Sequence, residues 1–193
     1  MAADNKTIEP EEKELQSLFE KRILKECRKK SRIRLCRDLI ITAVVVFILF
    51  SVIAGIAVVQ GDSMKPNLTN GSIALFYRLS GTYKKNDIIL FKPSGKNDLL
   101  IKRVVAVAGD KVDIDDKAGT LLINGNIEQD DTIKGKTYPR DGSSVKFPLT
   151  VPNGCVFVLG DNREVALDSR NLGTIDVKSL MGKVVFEIKK LTD

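Results

Sequence analysis

A serine at position 63 and a lysine at position 102 stand out because this 193-residue chain contains no histidine. A serine hydroxyl attacks a carbonyl effectively only when a neighbouring base takes its proton, and the usual base is an imidazole. Without imidazole, lysine is the side chain that burial can convert into a neutral base near physiological pH. Ser63 lies in Gly61-Asp62-Ser63-Met64-Lys65-Pro66, a segment of turn composition stiffened by Pro66. Lys102 lies in the apolar run Leu99-Leu100-Ile101-Lys102-Arg103-Val104-Val105-Ala106-Val107. On a strand, Leu100, Lys102, Val104 and Ala106 would share one face, giving the lysine apolar neighbours. Moving its pKa from ~10.4 toward ~7–8 costs ~1.4 kcal/mol per unit, enough to expect a use for it. On spacing alone, a sheet-edge lysine with a packed stem and a solvated amine is the simpler arrangement. Gly-Asp-Ser by itself is likewise a common turn.

A third block runs from Val151 to Arg163 and continues to Asp168-Ser169-Arg170. Gly160-Asp161-Asn162 closes an apolar strand, and Asp161, Arg163, Asp168 and Arg170 supply opposite charges that could pair and fix a loop. Taken alone, this block is structural.

The elements that position these residues begin with a charge-free stretch, Leu39–Val59. At ~1.5 Å per residue a helix of that length covers a ~30 Å hydrocarbon core, which predicts a transmembrane anchor. A cleavable signal peptide competes with this, although its apolar region is normally shorter. Residues 21–37 carry nine Lys/Arg against Glu26 alone, whereas only Lys65 and Arg78 fall within twenty residues after the stretch. The positive-inside rule then places residues 1–38 in the cytoplasm and residues 60–193 outside, a single-pass cell-membrane protein. The net charge of +6 comes from that local block. A basic block beside a span is explained by membrane orientation, so no nucleic-acid partner is expected. Residues 10–37 read as helical, with Leu15, Phe19, Ile23 and Cys27 at four-residue spacing. A solvated helix leading into the membrane is preferred there over a partner-binding one.

Beyond residue 60 the sequence changes to short β-like runs separated by turn residues. Strands are predicted at 72–77, 87–91, 99–107, 111–114, 120–123, 145–149, 156–159 and 183–188, with an Asn124-Gly125 hairpin turn. No convincing helical period follows. The expected fold is a mainly antiparallel β domain over residues 60–193, with residues 113–150 as a small inserted β subdomain. A cytoplasmic helix and one transmembrane helix precede it. Ser63 would then stand within ~14 Å of the end of the span, at the outer membrane surface.

Cys27 and Cys36 lie on the side read as reduced, and Cys155 stands alone outside, so no disulfide framework is expected. Asp110, Asp113, Asp115 and Asp116 lack the spacing and glycine of a calcium loop, and no metal or cofactor is expected.

In their order behind a single anchor, these blocks resemble those of type I signal peptidases of the Gram-positive kind. Ser63-Met64-Lys65-Pro66-Asn67-Leu68 is similar to the family's nucleophile segment, and Lys85-Asn86-Asp87-Ile88-Ile89-Leu90-Phe91 to a following strand. Ile101-Lys102-Arg103-Val104-Val105 with Gly109-Asp110 resembles the base-bearing strand. Phe157-Val158-Leu159-Gly160-Asp161-Asn162-Arg163 with Asp168-Ser169-Arg170 resembles the last block. The resemblance spans residues 39–190. It implies a β-rich endopeptidase that removes signal peptides from exported precursors after small residues at the first and third positions before the cut. Ser63 would be the nucleophile and Lys102 its base. The Ser63 N–H would serve the oxyanion, with Gly61, Asp62 and Met64 near the substrate. Arg103, Asp161, Arg163, Asp168 and Arg170 would be supporting polar groups. The lipid bilayer and the signal peptides are the implied partners.

Several positions depart from the pattern. Asn67 replaces a usual threonine, and Ala106 and Ala108 replace a usual glycine and proline. Ala166 stands where many relatives carry a serine that helps orient the lysine, and Gly61 lacks a hydroxyl that some relatives place in the oxyanion hole. An alternative is therefore a catalytically weak or non-proteolytic relative that assists surface-protein assembly, although its expected signature, loss of the serine or lysine, is absent. A self-cleaving repressor would need a DNA-binding domain where this chain has its span.

Overall fold

The computed structural model describes residues 10–93, 95, 98–128 and 133–189, with side chains from Leu15 onward. Two compact units meet in sequence between Phe50 and Ser51.

The first unit is built on one helix, α1 (Pro10–Ile53). No glycine or proline interrupts it after Pro10, so nothing in the chain breaks its hydrogen-bond ladder. It is long and apolar enough to cross a membrane, and its apolar window is entirely unburied. The first nine residues of the segment expected on the cytoplasmic side lie outside the described residues.

The helix does not run through Val59 as the uncharged stretch suggests. Ala54–Val58 form a strand, β1, paired antiparallel with β2 (Ile73–Tyr77). The reason is tertiary: Gly55 packs where an added Cβ would lie 2.2 Å from the Phe76 ring, so only a glycine backbone fits against that strand. The charge-free helical part is thus Leu39–Ile53, about 22 Å at 1.5 Å per residue. Ser63 is the tenth residue after the helix, not the fourth after a span.

The second unit is antiparallel β. The remaining strands are β3 (Ile88–Phe91), β4 (Leu100–Val107), β5 (Lys111–Asp115), β6 (Thr120–Ile123), β7 (Asn126–Ile127), β8 (Leu149–Thr150), β9 (Cys155–Leu159), β10 (Ile175–Asp176) and β11 (Leu180–Ile188). The main sheet has the order β1-β2-β11-β3-β4-β9-β10, and β7-β6-β5-β8 form a second sheet. The second sheet is inserted between β4 and β9, which are neighbours in the first, with an Asn124-Gly125 turn between β6 and β7. A core of Val105, Val112, Ile114, Leu121, Phe157 and Leu159 joins the two sheets. Cys155 packs against it as a half-buried free thiol.

Two differences from the expected strands have local causes. Of the predicted 145–149 strand only Leu149 pairs, continuing into Thr150, because Pro148 has no N–H to offer a ladder. On β4 the alternation breaks between Val104 and Ala106, where the register against β9 shifts. Val105 and Ala106 consequently both enter the inter-sheet core, and Ala106 leaves the face it was expected to share with Lys102.

Candidate active site

Ser63 is carried by a tight turn after β1. Lys65 N–H donates to the Asp62 carbonyl and Leu68 N–H to the Met64 carbonyl, which winds residues 62–68 into a compact loop. The loop is fixed at both ends by apolar anchors: Val59, Met64 and Leu68 are buried together with Phe76, Leu90 and Ile101. Gly61 adopts φ +81°, a left-handed conformation that suits glycine, and donates its N–H to Asn70 Oδ1 at 3.1 Å. Asp62 points outward and pairs with Lys65 at 3.0 Å.

Lys102 is carried by β4 opposite Ile89 of β3 and is only 2% exposed. Its Nζ donates to Ser63 Oγ at 2.8 Å and to the Ile101 carbonyl at 2.8 Å. Burial pushes its pKa down to about 8, partly opposed by the negative charges of Asp168 and Asp161. The arrangement thus joins a hydroxyl to an amine that loses its proton cheaply. Once neutral, that amine can keep donating to Ile101 and present its lone pair to the hydroxyl.

The supporting groups divide into two ion pairs and one further arginine. Arg103 holds Asp161 bidentately, Nε to Oδ1 at 2.8 Å and Nη2 to Oδ2 at 2.6 Å. Asn67 Nδ2 donates to the same carboxylate at 2.8 Å, so the residue that departs from the usual threonine still ties the serine loop to Asp161. Arg170 holds Asp168 in the same two-pronged way at 2.9 Å, and Asp168 also accepts from Gly160 N–H at 3.1 Å. Asp168 further caps the short helix α2 (Ser169–Leu172) through Arg170 N–H. Arg163 donates to the Gly160 carbonyl and to Thr137 Oγ1. Burial, aided by the nearby Arg170 charge, lowers its pKa to about 10.

The serine loop and the last block also meet through the backbone. Asn162 N–H donates to the Ser63 carbonyl at 3.0 Å, and Asn162 Nδ2 donates to the Asp62 carbonyl at 3.2 Å. A Cβ at Gly160 would lie 2.6 Å from the Ser63 carbonyl oxygen and 2.3 Å from the Ala166 methyl. Glycine is therefore required for this contact, and Ala166 sits buried beside it. Two clefts flank the pair. One, of about 410 Å³, is bounded by β1 and the start of β4 and includes Val58, Gln60, Met64 and Leu100. The other, of about 460 Å³, is bounded by Gly61, Asn70, Val165 and Leu167.

Three residues at the site carry no signal in the sequence: Asn162 as a clamp on Ser63, Thr137 as a partner of Arg163, and Arg140. Asn162 falls within the last block but has the look of an ordinary turn residue. Thr137 and Arg140 lie in a polar segment without periodicity, so only the folded chain brings them to the site. No group of His, Cys, Asp or Glu able to hold a metal occurs among the described residues.

The chain belongs to the signal peptidase family, peptidase S26, which matches residues 32–189. It is 31% identical to signal peptidase I P of Bacillus subtilis subsp. natto, over 82% of this chain and 90% of that one. It is 33% identical to signal peptidase IB of Staphylococcus aureus, again over 82% and 90%. A crystal structure of a signal peptidase I from Enterococcus faecalis matches with 28% identity and a TM-score of 0.45, covering 54% of this chain and 97% of that one. The chain is thus a peptidase of this family by sequence, and it carries one helix long and apolar enough to cross a membrane.

Proposed function

We propose that the chain is a single-pass serine endopeptidase that removes signal peptides from exported precursors using Ser63 and Lys102. The carrying observation is the 2.8 Å approach of Lys102 Nζ to Ser63 Oγ at a lysine 2% exposed. Neutral Lys102 takes the Ser63 proton as Oγ bonds to the scissile carbonyl carbon. The Ser63 N–H donates to the resulting oxyanion, its peptide unit held by the Asn162 Nδ2 bond to the Asp62 carbonyl at 3.2 Å. Collapse breaks the C–N bond, Lys102 returns the proton to the departing amine, and an acyl-enzyme remains. Lys102, neutral again, takes a proton from water as that water attacks the ester. The proton then passes from Lys102 to Ser63 Oγ as the C–O bond breaks, and the signal peptide leaves as a carboxylic acid that loses its proton to water.

Substrate docking follows from the edge of the sheet. Ile53 carbonyl and Val59 N–H bond toward the β2 side, so alternation turns the peptide groups of Ile56 and Val58 away from it. Those groups border the cleft that holds Ser63 and Lys102, where an extended peptide can add as a further strand. Short residues before the cut suit a cleft walled by Met64, Ile101 and Leu100. The basic residues 21–37 orient the anchor with the N-terminal segment in the cytoplasm and residues 54–189 outside.

The test is cleavage of a precursor bearing an Ala-x-Ala site by detergent-solubilised protein, beside Ser63→Ala and Lys102→Ala. Cleavage by the wild type with both variants silent supports the reading. Equal cleavage by Lys102→Ala removes the proposed base, and a wild type inert across many precursors favours an assembly role instead.

A further inference from the structure

The inserted segment between β7 and β8 runs beside the candidate site. Lys134 N–H donates to the Asp161 carbonyl at 2.8 Å, Arg163 N–H to the Lys134 carbonyl at 2.9 Å, and Thr137 accepts from Arg163. Arg140, six residues beyond Lys134, reaches across with one guanidinium nitrogen. Its Nη2 donates to the carbonyls of Arg163 at 2.8 Å, Glu164 at 3.0 Å and Ala166 at 3.1 Å. Three carbonyl dipoles converging on one point repel one another, and a cation at that point stabilises them. Arg140 Nε is buried with no partner among the described residues. The guanidinium is thus committed to the carbonyls of this turn rather than to a carboxylate.

The turn it holds is one wall of the second cleft. Asn162, at its start, clamps Ser63, and Ala166 N–H closes the turn onto the Asn162 carbonyl at 3.2 Å. Val165 and Leu167 line the cleft that also contains Ser63 and Lys102. Ala166, which offers Lys102 no hydroxyl, packs buried against Gly160. Lys102 is 2% exposed, and this turn is one of the walls around it, with no side-chain bond from residue 166 to hold it in place.

We propose that Arg140 is a positioning residue for the reaction: from the inserted subdomain it fixes the Asn162–Leu167 turn against Ser63 and Lys102. The second sheet is then a working part of the protease rather than an appendage. This rests on the function proposed above. The charged groups acting on Lys102 are Asp161 and Asp168, with Arg103 and Arg170 paired to them, and Arg140 acts on Lys102 only through the turn. Opening the turn admits water, restores solvation of the ammonium and moves the lysine back toward its ordinary, higher pKa.

The experiment compares cleavage of the Ala-x-Ala precursor between pH 6 and 10 by the full-length solubilised protein and by Arg140→Gln, Arg140→Lys, Lys136→Gln and Ser63→Ala. Thermal melts report the folded fraction of each. Arg140→Gln is expected to lower kcat per folded molecule about tenfold and to displace the rising limb to higher pH. Arg140→Lys, which keeps a cation able to donate to carbonyls, is expected to recover part of both. Lys136→Gln removes an exposed positive charge from the same basic pocket and is expected to match the wild type. A loss in Arg140→Gln that only follows the folded fraction, with the limb unmoved, overturns the proposal, as does full activity. If the wild type cleaves and Ser63→Ala does not, such a result counts against Arg140 alone and leaves the proposed function standing. An inert wild type overturns the proposed function and this proposal with it.

Discussion

Arg103 and Asp161 face each other in a two-pronged ion pair, at 2.8 and 2.6 Å, with the carboxylate 1% exposed. Because Arg103 follows Lys102 and Asn67 reaches the same carboxylate, Asp161 joins the Lys102 strand, the Ser63 loop and the last block at one point. Asp161→Ala would take the carboxylate away from a mostly buried Arg103 guanidinium, which keeps the Asn86 carbonyl at 3.2 Å. Breaking a buried pair in that way costs roughly 3–5 kcal/mol. A denaturant titration should show that loss, and a change below about 1 kcal/mol would mean that solvent or another group compensates Arg103.

Gly160 lies where a methyl group would collide with the Ser63 carbonyl and the Ala166 side chain. Gly160→Ala should therefore displace the Ser63 loop. A displacement of reacting atoms by about 1 Å can cost ~100-fold in rate, so activity should fall more steeply than stability. Wild-type turnover by Gly160→Ala would show that the contact relaxes without moving Ser63.

Lys102 also makes stability depend on pH. Its pKa is about 8 in the folded chain against 10.5 as the ordinary value, so between those limits the unfolded chain binds the extra proton. Stability from this group therefore rises as pH climbs from about 8 to 10.5 and is lowest below 8. Lys102→Met removes that dependence. The variant's advantage over wild type should shrink by on the order of 3 kcal/mol across this window, read from paired denaturant titrations. A constant difference would mean that the lysine is solvated.

Orientation has its own test. Cys27 lies on an exposed face of α1, on the basic side of the apolar stretch. A membrane-impermeant maleimide added to intact cells should leave Cys27 unlabelled until the membrane is opened, whereas Lys117→Cys should label at once. The reverse pattern would contradict the assigned orientation.

The sequence was most legible where local chemistry repeats. The hairpin at Asn124-Gly125 and the apolar runs of β3, β4 and β9 announce themselves by turn composition and β-branched residues. The long apolar helix is equally plain, but its end is not. Hydropathy cannot distinguish a helical Ala54–Val58 from a strand, and only pairing with β2 decides it. The bulge at Val105 is similarly invisible, because it depends on the register against β9. Lys102 and Ser63 could be suspected from type and spacing, and the resemblance added their order along the chain. Arg140 could not be found that way, since its three acceptors are backbone carbonyls more than twenty residues distant and leave no mark on side-chain pattern.

The most direct measurement is the pH profile of precursor cleavage by the wild-type protein from pH 6 to 10. With Lys102 titrating at about 8, kcat/KM should rise nearly tenfold per pH unit below that value and level off above it. At pH 6 the rate should be roughly one hundredth of the plateau. A profile that is flat across this range would contradict a lysine base.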